Sequence, residues 1–246
     1  LSVIGANAVI GISGGLDSTL ALLVACRAAY LRGVPRTNIL GVTMPCFGTS
    51  SRTRNNAQII CDELGLTLRC VEIGCAVNQH FKDIGHDPNN HNVAFENAQA
   101  RERTQILMDI SNKEGGLVIG TGDLSEMTLG WCTYNGDHMS MYGVNAGVTK
   151  TLIREIVARV AEKSDEKLKA VLLDILGTPI SPELLPGTES GEILQVTEDL
   201  VGPYELHDFF IYNFMRNGYS PEKILFLAKK AFSCHPEEQG DVRIST

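Results

Sequence analysis

Short apolar runs alternate with longer amphipathic stretches through the first half of the chain. Four of the runs are rich in β-branched residues and predict strands, at residues 8–12, 38–44, 67–73 and 117–121. The stretches between them predict helices at residues 17–32, 54–64 and 96–113. Strands that alternate with helices in this way predict an α/β fold, a parallel sheet flanked by helices with right-handed crossovers.

The second half of the chain has a different pattern. Residues 131–147 have little periodicity, and helical patterns follow at residues 151–161, 166–176, 206–217 and 221–232. Ser220 and Pro221 are typical of the N-cap and first residue of the last helix. Loops are predicted at residues 85–92, 180–199 and 234–246, the first of them a candidate mobile loop. We therefore expect extra C-terminal helices beyond the sheet.

The turn after the first strand is the most informative stretch. Gly14 and Gly15 can adopt positive φ and leave room for a ligand, and the helix that follows offers free N–H groups to an anion. No lysine follows the glycines, so this is not a Walker loop. Asp17 instead stands at the helix start, where it would repel a phosphate unless a cation such as Mg²⁺ lay between them. An ordinary turn, in which Asp17 only favours the helix dipole, is the alternative.

Further candidates follow the other predicted strands. The carboxyl ends of parallel strands meet at one edge of a sheet, which brings Met44 and residues 120–126 towards the glycine turn. There Glu126 could complete a Mg²⁺ site with Asp17, or stand solvated at a helix start. Thr121 suits a phosphate or ribose contact, or a helix cap.

Five more side chains fit a nucleotide ligand. Lys150 could supply a point charge for phosphates, or lie exposed at the start of its helix. Asn97 and Arg101 lie four residues apart, hence on one helical face, where they could bind a carboxylate, ribose or pyrophosphate, or form a surface pair. Trp131 and Tyr134 could stack on a pyridine ring or anchor their loop on the core.

Composition limits the class of protein. The chain has 246 residues, of which 43% are hydrophobic and 20% charged, which fits a single globular domain over residues 1–246. Its formal net charge of −8 argues against a nucleic-acid partner, and no apolar run reaches the length of a membrane span. Seven cysteines without a CxxC pair are typical of reduced thiols, so we expect a cytoplasmic protein without a membrane partner.

Several strings of residues indicate a family. SGGLDS at residues 13–18 resembles the signature of the ATP pyrophosphatases, which implies their adenine nucleotide alpha hydrolase-like fold. FENAQAR at residues 95–101, GTGDLSE at residues 120–126 and GWCTY at residues 130–134 resemble NAD synthetases. With YGVNAG at residues 142–147, the last string is similar to the synthetase domain of the large glutamine-dependent bacterial enzymes.

The resemblance implies a reaction and its sites. Members of the NAD synthetase family amidate deamido-NAD to NAD⁺ through an adenylated carboxylate and release AMP and pyrophosphate. The resemblance therefore implies ATP as co-substrate and Mg²⁺ as cofactor. It implies Mg²⁺ ligands at Asp17 and Glu126, and we assign no residue as acid or base. It implies ATP contacts at Gly11, Ile12, Ser13, Gly14, Gly15, Leu16, Asp17, Ser18, Met44, Thr121 and Lys150. It implies deamido-NAD contacts at Asn97, Arg101, Glu126, Trp131, Cys132, Thr133 and Tyr134.

Alternatives stay open beside this resemblance. The N-terminal glutaminase domain of the glutamine-dependent enzymes has no counterpart here, so we expect the synthetase half, using ammonia or glutamine through a separate amidase domain. Residues 233–246 do not match the family's basic C-terminal segment. A homodimeric core or larger homo-oligomer is implied. Another AMP-forming synthetase, such as the GMP type, and a non-catalytic nucleotide sensor are the rival functions.

Overall fold

Five short strands form one parallel sheet in the computed structural model of the chain, which describes residues 5–181, 184–185 and 197–233. The strands are β1 Asn7–Gly11, β2 Ile39–Thr43, β3 Thr67–Cys70, β4 Gly116–Gly120 and β5 Tyr142–Gly143. Their order across the sheet is β3-β2-β1-β4-β5, and every neighbouring pair is parallel. The predicted α/β class is therefore confirmed.

The helices account for most of the rest of the described chain. They are α1 Leu16–Arg32, α2 Ser51–Glu63, α3 Gly74–Ile84, α4 Val93–Lys113, α5 Leu124–Leu129, α6 Lys150–Glu162, α7 Glu166–Leu176, α8 Thr197–Val201, α9 Tyr204–Met215 and α10 Pro221–Ser233. No helix in the described ranges is both long and apolar enough to cross a membrane.

The two faces of the sheet carry separate apolar clusters. Successive residues of a strand face opposite sides, so Ala8 and Ile10 join one cluster while Val9 joins the other. The first cluster includes buried residues of α1, α2, α6 and α7, and the second includes residues of α3 and α4. Strands buried on both faces explain why β1 has an uninterrupted apolar sequence.

The strand order determines where a ligand site forms. From β1 the chain moves to β2 on one side, and β4 later pairs with β1 on the other side. In open parallel sheets the connections leave such a pair in opposite directions, which leaves a crevice at the carboxyl ends of the two strands. The glycine turn follows β1, and residues 121–126 follow β4, so both open onto this crevice.

Helix α3 was not predicted from the sequence. α3 occupies Gly74–Ile84, and its buried residues are Val77 and Phe81, one turn apart. Both lie on one face of an otherwise mostly exposed helix, so the sequence carries a helical period here that the predicted elements did not include. β3 is correspondingly shorter than predicted, since it ends at Cys70 and α3 begins soon afterwards.

Helix boundaries differ from the predicted ones for local reasons. α4 begins at Val93 because the Asn92 side chain accepts hydrogen bonds from the N–H groups of Ala94 and Phe95. The start of α10 at Pro221 is confirmed, with Ser220 Oγ accepting from the Lys223 N–H at 3.4 Å. The first three residues of α8 lie in a stretch predicted as loop. Most of that loop, and the predicted polar end at residues 234–246, lie outside the described residues.

Candidate active site

The glycine turn after β1 needs glycine at one of its two positions. Gly14 has a φ of +87°, and a Cβ added there would lie 2.1 Å from the Thr53 carbonyl oxygen. The first turn of α2 therefore packs directly on the turn. Gly15 was predicted to be able to adopt positive φ, but it is the extended N-cap residue of α1, with a φ of −93°. The space beside Gly14 is filled by the chain itself, and the helix start at Leu16 remains the candidate anion site.

A buried lysine is bound by three carboxylates beside this turn. Lys150, the first residue of α6, has a fully buried side chain. Its ammonium lies 2.7 Å from Asp17 Oδ2, 2.6 Å from Asp123 Oδ2 and 2.8 Å from Glu126 Oε1. The alternative of an exposed helix-start lysine is therefore wrong. We call Asp17, Asp123, Glu126 and Lys150 the acidic cluster.

Asp123 belongs to the acidic cluster but was not predicted. It is the N-cap residue of α5, and its Oδ1 accepts the Glu126 N–H at 2.8 Å. Asp123 and Glu126 are three residues apart, the spacing of a capping box, so a search for helix starts in GTGDLSE would have found Asp123. The cap holds the two carboxylates on the same side of α5.

Burial and mutual repulsion shift the titration of the acidic cluster. Burial raises the pKa of Asp17 to about 6, against the lowering effect of Lys150. Burial and the Asp17 charge raise the pKa of Glu126 to about 8. Burial by itself would lower the pKa of Lys150, but the charges of Asp17, Glu126 and Asp123 raise it above its ordinary value. Lys150 is therefore a permanent cation among three acidic side chains.

The donors of the acidic cluster fit a divalent metal ion. Oxygen atoms of Asp17, Asp123 and Glu126 lie within 4.8 Å of one another. Asp17 Oδ1 is buried and has no hydrogen-bond partner among the described residues. Carboxylate oxygens are the ligands that Mg²⁺ prefers, and an unpartnered buried oxygen gives it a ready position. Lys150 would share these carboxylates with the ion.

Two cavities meet at the acidic cluster. The first, of about 270 Å³, lies at the strand ends and is lined by residues including Gly11, Ile12, Ser13, Asp17, Ser18, Met44 and Thr121. The second, of about 600 Å³, is lined by residues including Gly15, Leu16, Asn97, Arg101, Trp131, Thr133 and Tyr134. Ser13, Asp17, Glu126 and Cys132 line both cavities. A group at their junction would therefore lie beside two of the three carboxylates.

The wall of the second cavity is a loop held against α4. The Thr133 hydroxyl donates to Asn97 Oδ1 at 2.7 Å, and Arg101 Nε donates to the Tyr134 carbonyl at 3.1 Å. The predicted common face of Asn97 and Arg101 is confirmed, and it faces this loop. Tyr134 itself is 76% exposed, so its side chain does not anchor the loop on the core.

Other polar residues of the site were missed. Asn145 Nδ2 donates to the carbonyls of Asp17 and Thr121, both at 2.9 Å, and so connects the first turn of α1 to the residue after β4. Asp137 lines both cavities, and Arg103 lines the first, with its Nε donating to the Met44 carbonyl at 3.2 Å. Asn145 lies within the string YGVNAG, but no local pattern indicates which strand ends it would join.

Comparison with known proteins identifies the family. A family model for NAD synthase matches residues 3–225. The chain belongs to the NAD synthase family. Glutamine-dependent NAD(+) synthetases of Mycobacterium leprae and Mycobacterium tuberculosis are each 46% identical to this family member over 232 residues. These matches cover 92% of the chain and 34% of each relative, so the chain spans about a third of their length.

Solved structures of the family have the same fold. The glutamine-dependent NAD⁺ synthetase of Acinetobacter baumannii, in complex with ADP, superposes with a TM-score of 0.63 at 23% identity, covering 98% of this chain and 43% of that one. The NH3-dependent NAD synthetase of Campylobacter jejuni gives 0.58 at 21%, covering 96% and 89%. NMN synthetase from Francisella tularensis gives 0.64 at 21%, covering 98% and 89%. The predicted ATP pyrophosphatase fold is confirmed.

The residues that the NAD synthase resemblance singled out converge on one region. Nearly all of them line at least one of the two cavities. Most of the predicted ATP contacts line the first cavity, and the predicted deamido-NAD contacts line the second. Gly14 and Lys150 are not among the described lining residues; Gly14 is covered by α2, and Lys150 lies behind Asp17 and Glu126. The assignment of all these residues to ATP or deamido-NAD stays a prediction.

Proposed function

We propose that this chain amidates deamido-NAD to NAD⁺, with ATP as co-substrate and ammonia as the nitrogen donor at the site. The observation that carries the proposal is the meeting of the two cavities at Ser13, Asp17 and Glu126. An adenylating amidase must bring a carboxylate to the α-phosphorus of ATP, so two ligands must meet at a site that tolerates developing negative charge. Membership of the NAD synthase family supports the choice of substrate.

The proposed chemistry has two steps. One oxygen of the nicotinate carboxylate attacks the α-phosphorus of ATP, the bond to the β-phosphate breaks, and pyrophosphate leaves. The carboxylate becomes a mixed anhydride with AMP, which turns a poor acyl donor into a good one. Ammonia then attacks the acyl carbon, AMP departs with the bonding electron pair, and a proton is released as the amide forms. We assign no residue as a general acid or base.

The first cavity is the proposed ATP site. Its wall at the end of β1 comprises Gly11 to Ser13, with Met44 at the end of β2 and Thr121 after β4. The N-terminus of α1 faces the same cavity through Asp17 and Ser18, so backbone N–H groups of residues 13–18 are the proposed ligands of the phosphates. These contacts would position the pyrophosphate as it leaves.

The second cavity is the proposed deamido-NAD site. Asn97 and Arg101 supply an amide and a guanidinium on the α4 side, and Trp131, Cys132, Thr133 and Tyr134 form the facing loop. Planar donors of this kind suit a carboxylate, ribose or pyrophosphate, and the aromatic rings suit a pyridine ring. The nicotinate end would point to Glu126, where this cavity meets the first.

Asp17 and Glu126 are the proposed ligands of Mg²⁺, with Asp123 as a third carboxylate that the sequence interpretation left out. When bound, Mg²⁺ supplies positive charge that offsets the charge of the phosphates. Lys150 holds the three carboxylates together from the buried side. The unpartnered Asp17 Oδ1 supports this assignment.

The intact protein is proposed to be larger than this domain. The named mycobacterial relatives are glutamine-dependent, and this chain covers 34% of their length. We propose that residues 1–246 form the single synthetase domain, and that a separate glutaminase domain releases the ammonia. A homodimeric synthetase core and a cytoplasmic location complete the proposal.

The deciding experiment is a reconstitution with purified chain, ATP, Mg²⁺, ammonium and deamido-NAD. We expect NAD⁺ and AMP in equal amounts. AMP without NAD⁺ would mean that activation occurs but amidation needs other parts of the protein. A chain that binds ATP but releases no pyrophosphate would contradict the proposal and favour a nucleotide sensor. Activity with xanthosine monophosphate in place of deamido-NAD would favour a GMP-type synthetase.

A further inference from the structure

Helix α6, which carries Lys150 as its first residue, begins without a cap of its own. Thr149 is the N-cap residue, but its side chain accepts no capping hydrogen bond. The first N–H groups donate to side chains of other elements instead. The Lys150 N–H donates to Ser125 Oγ at 2.9 Å, and the Thr151 N–H donates to Asp208 Oδ2 at 2.8 Å. α5 and α9 therefore supply the cap that a helix start requires.

Asp208 connects these caps into one network. Its Oδ1 accepts the Ser125 hydroxyl, and its Oδ2 also accepts the Thr151 hydroxyl at 2.7 Å. Asp208 and Ser125 are both buried, so water does not compete for these bonds. A carboxylate at a helix N-terminus is also favoured by the helix dipole.

A second residue of α9 contacts the other end of the Lys150 side chain. Tyr204 lies one turn before Asp208, and its ring centroid is 5.5 Å from the Lys150 ammonium. Tyr204 is buried as well. One face of α9 thus fixes the backbone of Lys150 through Asp208 and borders its charge through Tyr204.

We propose that Asp208 is a positioning residue of the site. By fixing the start of α6, it determines where the Lys150 ammonium lies among Asp17, Asp123 and Glu126, and so the geometry that those carboxylates offer to Mg²⁺ and ATP. The ammonium contacts are 2.6 to 2.8 Å long. A shift of about 1 Å would take them beyond hydrogen-bonding distance. The link to ATP rests on the function proposed above.

The test is a double-mutant cycle between Asp208 and Lys150 that measures binding. D208N keeps the shape of the side chain but places an amide where two donors converge on Oδ2. D199N, on the exposed face of α8, removes the same charge without touching the network. Isothermal titration calorimetry with MgATP measures the affinity of each variant.

We expect D208N to weaken MgATP binding about tenfold in the wild-type background, the loss typical of a broken buried hydrogen bond to a charged group. In a K150M background the same change is expected to weaken binding by less than about twofold, since partners that act as a unit are not additive. D199N is expected to leave the affinity unchanged. An equal loss in both backgrounds, or no loss with D208N, would overturn the proposal.

Two further variants keep the test decisive if D208N does not fold. S125A and T151V each remove part of the network and leave the Asp208 carboxylate in place. Both are expected to weaken MgATP binding by a smaller factor, again only when Lys150 is present. Because the cycle measures binding, it can be read even if no NAD⁺ forms. Coupled binding of MgATP without any release of pyrophosphate would overturn the proposed function and leave the role of Asp208 standing.

Discussion

The junction of the two cavities and the outer wall of the second cavity are built in different ways. At the junction, Lys150 is fully buried and bound by carboxylates that follow β1 and β4. At the outer wall, Tyr134 is 76% exposed, and Asn135 beside it has a φ of +55°. Buried, mutually bonded charges hold one geometry, whereas an exposed ring such as that of Tyr134 can change its rotamer around a ligand while the loop backbone stays bonded to α4. The proposed ATP side is thus rigid, and the proposed dinucleotide side is adjustable.

The largest expected effect comes from removing the cation of the junction. K150M leaves three partly or fully buried carboxylates without their counter-ion and is predicted to lower the free energy of unfolding by about 3–5 kcal/mol. Denaturation by urea measures the loss. K167M is the matched control, because Lys167 is exposed and lies 3.8 Å from Glu63, and we expect a change of less than about 0.5 kcal/mol. Equal stability of K150M and the wild type would contradict the view that buried, bonded charges hold the junction of the two cavities in one geometry.

Asp17 tests the assignment of the metal. D17N keeps the volume of the side chain but removes one charge and the unpartnered oxygen. We expect pyrophosphate release to fall about a hundredfold, in line with the loss of one preorganised electrostatic group. The Mg²⁺ concentration for half-maximal rate is expected to rise. Full AMP formation by D17N at ordinary Mg²⁺ would show that Asp17 is not a ligand; D62N on the exposed side of α2 is the control.

Gly14 tests the rigidity of the turn. G14A places a methyl group against the Thr53 carbonyl at a positive φ, and we predict a loss of about 3 kcal/mol in the free energy of unfolding. Gly33 has a φ of +65° with nothing within 4 Å of an added Cβ, so G33A carries the backbone strain alone, about 1 kcal/mol. Calorimetry on the pair separates the two contributions. Equal losses in the free energy of unfolding for G14A and G33A would mean that α2 moves away to make room for the methyl group at little cost.

The smallest effect is expected on the adjustable side. Y134A is predicted to raise KM for deamido-NAD about fivefold, from the loss of one ring contact, with KM for ATP unchanged. Stability is expected to stay within about 0.5 kcal/mol, because Tyr134 is exposed. Y30A, another exposed tyrosine near the far end of α1, controls for loss of an aromatic ring. A parallel rise in KM for ATP would mean that the two sides are not independent.

The same contrast separates what the sequence predicts from what it does not. The glycine turn, the strand ends and the Asn97–Arg101 pair follow from short-range patterns, and their placement agrees with the structure. The burial of Lys150 depends on Asp17, 133 residues away, and the cap of α6 depends on Asp208, 57 residues beyond Thr151. Such contacts join residues whose local patterns are those of ordinary helices, so only the three-dimensional arrangement reveals them.

Lys150 also neutralises part of the charge of the acidic cluster when no metal is bound. Because the chain carries a resident counter-ion for its own acidic cluster, the carboxylates are held together by a covalently attached charge. Folding is therefore expected not to depend on the proposed Mg²⁺, unlike in domains whose fold depends on an ion. A chelator would then abolish the proposed activity reversibly without unfolding the domain, and the metal-free form would unfold at a somewhat lower urea concentration, because an ion that binds only the folded chain stabilises it.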